Sequence, residues 1–276
     1  MSSNPNNLRS MNPDVTIEAE YGDEVVEGSI GTLAHHGKRS MNPAPCLYKN
    51  GIYDGVSIVG LSHIDLDTIG GCLAVLGIKP NAKEFWETAG FVDVAGPHKL
   101  NLISVNEEVK LQLAAYWAWS TSNRIFAPRD GSIIEVTDKV MEASEVINKI
   151  LNNDEEMLEA GRAFLNTENE LNKNSFVELF EGTIIRVSNC FCNHLYNTPD
   201  GDFGDSVVTF NTITRTITLS FSDSDDKRDA GKIMKNLFGC LAGGNKGIAG
   251  SPRGQKIRFG RVFDVVENIT ESVYTF

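Results

Sequence analysis

"GLSHIDLDTIGGCLAVLGIKP", residues 60–80, sets His63, Asp65 and Asp67 two residues apart between an apolar run and a glycine pair. Upstream, GVSIVGLSH (55–63) reads as a buried strand; downstream, TIGGCLAVLGI (68–78) reads as a short apolar helix with Asp67 placed to cap it. Alternating positions on an extended segment share one side, so at the carboxyl end of a strand an imidazole and two carboxylates can converge on a point. The carboxylates repel each other there unless a divalent cation joins them. The helix N-terminus beside them favours a phosphate, and Gly70–Gly71 lets a group approach the backbone closely. A plainer alternative makes Asp67 a helix cap and leaves Asp65 and His63 as solvated turn residues.

Working outward, NAKEFWETAG (81–90) reads as a helix closed by Gly90, and FVDVAG (91–96) as a further apolar strand ending in Gly-Pro. Strand, helix, helix, strand is an α/β pattern. From Ser104 to about Asn174 apolar residues recur at helical spacing among acids and amides, with Trp117 and Trp119 as core or lobe-interface residues. GTIIRVSNCF, DSVVTFNT and TRTITLSFSD then read as strands and AGKIMKNLFGCL as a helix. The expected fold is α/β in two lobes. A mobile tail (1–14) precedes a mainly parallel sheet lobe (15–122), a helical connector (123–175) and a smaller lobe with a mixed sheet (176–276).

The chain has 276 residues and a formal net charge of −12, which argues against a duplex-DNA binder, since that needs a broad basic surface. A small anionic substrate stays compatible, because cations and a few clustered Lys/Arg reverse the potential locally. No apolar run reaches the ~18 residues of a membrane span, and MSSNPNNLRSMNPD lacks the features of a secretion signal, so a cytoplasmic location is expected. Five cysteines without a C-x-x-C pair fit reduced thiols. The histidines are 35, 36, 63, 98 and 194, each in a polar stretch bearing Gly or Pro. His35 and His36 follow a short β-like run in TLAHHGKRSMNPAPC, and Asp93 and His98 sit in VDVAGPH.

Asp65-Leu-Asp67-Thr-Ile-Gly-Gly-Cys-Leu-Ala resembles the first metal motif of the DHH phosphoesterases, in which a strand ends in His followed by Asp-x-Asp and an apolar helix. TITLSFSDSDDKRDAGKIMKNLFGCLAGGNKGIAG is similar to that family's substrate-binding lobe, with residues 243–250 following the spacing of its glycine-rich signature. Departures are visible: His63 stands two residues before Asp65 rather than four, the His-His pair lies upstream after Ala34, and Asn245 replaces the signature His.

The resemblance implies a Mn²⁺-dependent hydrolase of phosphate esters or anhydrides, with one or two ions and Mg²⁺ or Zn²⁺ as alternatives. It would act on a small nucleotide, dinucleotide or short single strand in a cleft between lobes. On that basis His63, Asp65, Asp67 and Asp93 are the metal-ligand candidates, with His98 next, and His35, His36 and His98 the catalytic ones, with His35 or His36 open as ligand, general acid or phosphate contact. Lys38, Arg39, His194, Gly243, Gly244, Asn245, Lys246 and Arg253 are the substrate contacts. The loop around Asn245 would offer backbone N–H groups and cations to a phosphate. No membrane or duplex-DNA partner is expected, and the oligomeric state stays open, a homodimer included. Two other readings remain: a non-catalytic nucleotide- or phosphometabolite-binding protein, and a zinc hydrolase using Cys46.

Overall fold

Three short, mostly apolar runs, Val15–Ile17 (β1), Gly31–Leu33 (β2) and Val59–Leu61 (β3), form a parallel sheet in the order β2-β1-β3. The structure is a computed structural model that describes residues 1–19, 29–36, 39–189, 196–223 and 227–274, the last four by backbone alone. Val15 lies opposite both Gly31 and Val59, so the strands end level. The polar residues after them, Glu18, His35, His36, Ser62 and His63, therefore leave the sheet at one carboxyl edge.

Helix α2 (Leu66–Val75) follows β3, and all ten of its residues are buried. Asp65, not Asp67, is its N-cap. Asp65 Oδ1 accepts from the Thr68 N–H at 2.9 Å while Thr68 Oγ1 accepts from the Asp65 N–H at 2.9 Å. The hydroxyl three residues on decides the boundary, because it completes a reciprocal capping box that a cap at Asp67 would lack. Helix α3 (Lys83–Ala95) runs straight through Gly90, so residues 91–95 continue the helix instead of forming a strand. A Cβ at Gly90 would stand 3.1 Å from the Leu47 side chain, so this glycine serves a packing contact and not a stop. The helix ends at Gly96, whose φ of 92° suits only glycine, ahead of Pro97.

The first fourteen residues are packed, not a loose tail. Helix α1 (Pro5–Ser10) carries Leu8 at 2% exposure, the Met1 ammonium donates to the Ile134 carbonyl at 2.7 Å, and the Ser2 N–H donates to the Leu61 carbonyl at 2.9 Å. Two apolar anchors hold a segment whose overall polarity reads as disorder.

The chain divides into two compact units, one of residues 1–96 with 105–165, the other of 97–104 with 166–276. Helices α4 (Glu107–Ser122) and α5 (Thr137–Leu151) belong to the first unit, where Leu113, Ile147 and Ile150 share a core with Ile17, Leu73 and Phe85. Trp117 and Trp119 pack against the same core. Residues 123–165 of the expected connector are thus grouped with the first unit, and helix α6 (Glu155–Ser175) contributes residues to both units.

The second unit is a mixed sheet of order β4-β5-β6-β7-β9-β8. Its strands are Phe176–Phe180, Thr183–Ser188, Ser206–Asn211, Thr216–Phe221, Gly243–Gly244 (β8) and Ile248–Gly250 (β9). β5 and β6 pair parallel and the other pairs antiparallel. Alternation puts Ile217, Leu219 and Phe221 into a core with helices α7 (Ala230–Phe238) and α8 (Arg261–Tyr274). Among the described residues no helix is long and apolar enough to cross a membrane.

Candidate metal centre

Glu18 is the first residue beyond β1. Its φ of 51° turns the chain sharply while its N–H donates to the Leu33 carbonyl at 2.9 Å, so the carboxylate swings toward the end of β2. There Glu18 Oε1 accepts from the His35 backbone N–H at 3.2 Å, and Oε2 stands 2.7 Å from His36 Nε2. His35 points its Nε2 into a ring of carboxylates: Asp93 Oδ2 at 2.7 Å, Glu18 Oε1 at 3.7 Å and Asp67 Oδ2 at 3.9 Å. Glu18, His35 and Asp67 have side chains only 3–4% exposed, and Asp93, from the last turn of α3, is 23% exposed.

Asp67 reaches this point because the first turn of α2 directs it back over the sheet edge. The glycine pair behind it makes room for the chain itself. A Cβ at Gly70 would come within 2.5 Å of Cys46 Cβ, and one at Gly71 within 2.8 Å of Pro45 Cβ. The 3₁₀ turn Pro45–Leu47 seats on these glycines and brings the Cys46 N–H to Asp67 Oδ1 at 2.9 Å. The close approach expected of a phosphate at Gly70–Gly71 is made by the protein's own backbone. We expect Gly70→Ala to cost about 1–3 kcal/mol by overpacking and to weaken cation binding at Asp67, read by urea denaturation and by metal titration. Unchanged values for both would show that the turn is not held in this way.

Two atoms of the cluster, His35 Nε2 and Asp67 Oδ2, are buried without a hydrogen-bond partner; the 2.7 Å approach of His35 to Asp93 lacks hydrogen-bond geometry. Leaving such groups unsatisfied costs about 1–3 kcal/mol each, which makes an orphaned imidazole nitrogen facing an orphaned carboxylate oxygen a poor arrangement for a bare protein. It is a good one for a cation. Ligand atoms of His35, Asp67 and Asp93 lie within 4.8 Å of one another, as do those of Glu18, His35 and His36. Burial, opposed by the Cys46 N–H and reinforced by the charges of Asp93 and Asp65, pushes the Asp67 carboxyl up to about 7. Burial and the Asp65 charge also raise Asp93, and burial lowers His35 against the pull of Asp93. A cation would lower both carboxyls and push His35 lower still, favouring the carboxylate and neutral-imidazole forms that can bind it.

His63 and Asp65 do not join the grouping that holds Asp67. The chain turns into α2 at Asp65, so strict alternation ends there; His63 Nε2 pairs with Asp65 Oδ2 at 3.0 Å and its Nδ1 with Ser62 Oγ at 2.7 Å. This pair is partly exposed, and neither member belongs to the two ligand groupings. The hydrogen bond to Asp65 raises the proton affinity of His63 against the effect of burial. On Asp65 burial acts upward, but His63 and the Thr68 N–H hold the carboxyl below its usual range.

His98 belongs to the second unit, on the 3₁₀ segment Pro97–Leu102, where it is buried beside Tyr196 with ring centroids 6.2 Å apart. Burial, then the Lys99 charge, lowers its imidazole to about 4. Arg39 follows the histidine pair on a short turn, its N–H donating to the His36 carbonyl at 2.9 Å. Lys38 and His194 lie outside the described residues. Gly243 and Gly244 form strand β8, and Lys246 and Arg253 are exposed. Asn245 Oδ1 already accepts from the Gly247 and Ile248 N–H groups at 2.9 Å each, so this loop spends on itself two of the donors expected for a phosphate. Cys46 joins neither ligand grouping, and burial, then the Asp67 charge, raises its thiol far above the ordinary range. Glu18 is the residue that sequence reasoning missed.

No family model matches the chain, and no curated protein does. Among solved structures it is similar to PggH, a pGpG-specific phosphodiesterase from Vibrio cholerae, at 10% identity and a TM-score of 0.42 over 98% of this chain and 88% of that one. It is also similar to an uncharacterized protein from Helicobacter pylori G27, at 12% identity and a TM-score of 0.22 over 91% of this chain and 75% of that one.

Proposed function

We propose that this protein is a divalent-cation-dependent phosphoesterase acting on a small nucleotide or short oligonucleotide. One observation carries the reading: the buried Asp67 Oδ2, without a hydrogen-bond partner, stands 3.9 Å from His35 Nε2 in a ring of acids completed by Asp93 and Glu18. The residues that would hold a cation are His35, Asp67 and Asp93, with Glu18 and His36 beside them. Imidazole and carboxylate donors without a thiolate suit Mn²⁺, our choice, better than a cysteine-type zinc site. Bound there, a divalent cation supplies an activated water and neutralises charge developing on phosphorus oxygens.

The protein's own groups supply the rest. Cys46 holds Asp67 in one rotamer through its N–H. Glu18 orients His36, whose side chain is 69% exposed, so that its other ring nitrogen can pass a proton to a leaving oxygen. His63, whose proton affinity the hydrogen bond to Asp65 raises, is proposed as an anion contact beside the cluster. Arg39 and, by the family resemblance alone, Lys38, His194 and the 243–253 loop are proposed as substrate contacts, and His98, by the same resemblance, as a catalytic group.

Incubation of the full chain with linear dinucleotides, cyclic dinucleotides and pyrophosphate, each with and without Mn²⁺, tests the proposal. Metal-dependent release of mononucleotides is the expected outcome. Millimolar Mn²⁺ should also raise the melting temperature; a site filled to a hundred times its Kd adds about 2.7 kcal/mol. Absence of both effects with Mn²⁺, Mg²⁺ and Zn²⁺ would remove the proposal. A second reading, nucleotide binding without turnover, has one observation in its favour: Asn245 places a non-ionisable side chain, bonded within its own loop, where the family signature carries His. Saturable dinucleotide binding with no product in any metal would select it.

A further inference from the structure

Behind the metal centre, within the first unit, lies a cavity of about 460 Å³, inside the roughly 300–1,000 Å³ range of small-molecule sites. Its walls are the outer side of β3, the distal half of α2, helix α1 and the start of α5. Five large apolar side chains, Met11, Ile58, Leu76, Ile133 and Met141, gather around it and are 37–47% exposed. Apolar surface left open by that many side chains at one place is costly in water, and scattered surface hydrophobics do not explain it.

We infer that this cavity binds a compact, uncharged apolar molecule, unrelated to the phosphate chemistry of the candidate metal centre. Size and shape favour a small molecule over a peptide, because the strand edge that a peptide would extend is already engaged. Met1 and Ile134 exchange two backbone hydrogen bonds and the Ser2 N–H donates to the Leu61 carbonyl, which seals the end of β3. Charge selects the class of ligand. The charged groups of the lining are the Glu135 carboxylate and the Met1 ammonium, which interact with each other and offset in sign, so a neutral molecule avoids the cost of burying a further charge among the apolar walls. Methionines at three points of the lining, Met1, Met11 and Met141, give the walls a surface that adapts to different apolar shapes.

The test uses two fluorescent probes built on one framework, N-phenylnaphthylamine and its sulfonated relative anilinonaphthalene sulfonate, each titrated into the full chain. The neutral probe is expected to bind saturably at one site per chain and at least about tenfold more tightly than the anionic one. Leu76→Trp at the end of α2 and Met141→Trp on α5 fill the cavity from opposite walls, and each should lower the affinity for the neutral probe by about tenfold or more. Circular dichroism and the melting temperature show that each variant still folds. Equal affinity for the two probes, or neutral-probe binding unchanged in both variants, would overturn the inference. So would a chain that dimerises through this face, seen in light scattering as an association that either Trp variant abolishes and that excludes the probe.

Discussion

Asp67→Asn is expected to abolish cation binding, to reduce Mn²⁺-dependent hydrolysis by about a thousandfold or more, and at the same time to stabilise the metal-free protein above neutral pH. The first two effects follow from removing an anionic ligand at the centre of the cluster, a loss of several kcal/mol of charge stabilisation. The third follows from linkage. Below pH 3.8 the carboxyl is protonated in folded and unfolded chains alike and burying it carries no ionic penalty. Between 3.8 and about 7 the unfolded chain gives up the proton while the folded chain keeps it, so stability falls as pH rises, and above about 7 the loss is complete. That displacement corresponds to at most about 4 kcal/mol. Asn can still accept from the Cys46 N–H and carries no charge at any pH. Metal-free Asp67→Asn should therefore exceed the parent by roughly 2–4 kcal/mol at pH 8, with the gap closing toward pH 4. Denaturant titrations of both proteins at the two pH values, in chelator, measure it. A variant less stable than its parent at pH 8 would mean that Asp67 is not a buried charge awaiting a counter-ion.

Arg186→Met carries the largest expected loss of stability. Arg186 is fully buried on β5, and its guanidinium donates to the Asn172 carbonyl at 2.8 Å, Ser175 Oγ at 3.1 Å and the Asn197 carbonyl at 2.7 Å. One fork thus ties the end of α6 and the 197 region to the centre of the sheet. Met replaces most of the side chain's bulk but leaves two partly buried carbonyls and the Ser175 hydroxyl without these donors, for which a cost of about 3–5 kcal/mol is expected, and Lys, lacking the planar fork, should recover only part of it. Since a domain holds only about 5–15 kcal/mol in all, the second unit should unfold at markedly lower urea. A change below about 1 kcal/mol would show that packing alone fixes this junction.

The elements legible in the sequence are those with a clear period. The 3.6-residue spacing in α5 and the alternation in β7 correspond to a helix and a strand in the structure, and the mixed α/β architecture in two sheets matches expectation. Where one residue had to choose between two roles, local reasoning failed. Gly90 carries a stop signal but packs on Leu47, and Asp67 could cap a helix, yet Thr68 gives that role to Asp65. Both choices depend on partners distant in sequence or on a reciprocal side chain. The candidate metal centre was legible by residue type and only partly by assignment. Asp67 and Asp93 stand together with the histidine pair at the end of β2, whereas His63 and Asp65 pair with each other. Glu18 left no signal because Glu20, Asp23 and Glu24 follow it, and no rule of spacing separates one acid of that run from the others.

Glu18 also shows how this protein could be improved into uselessness. A glutamate held at a φ of 51° occupies a backbone state that glycine or asparagine takes at lower cost. A laboratory selection that rewards heat resistance alone would favour those two residues at position 18, and each survivor would look like a better protein in a melting curve. It would also have discarded the anchor of His36 and an anionic wall of the centre, so the trade would surface only when turnover was scored alongside endurance.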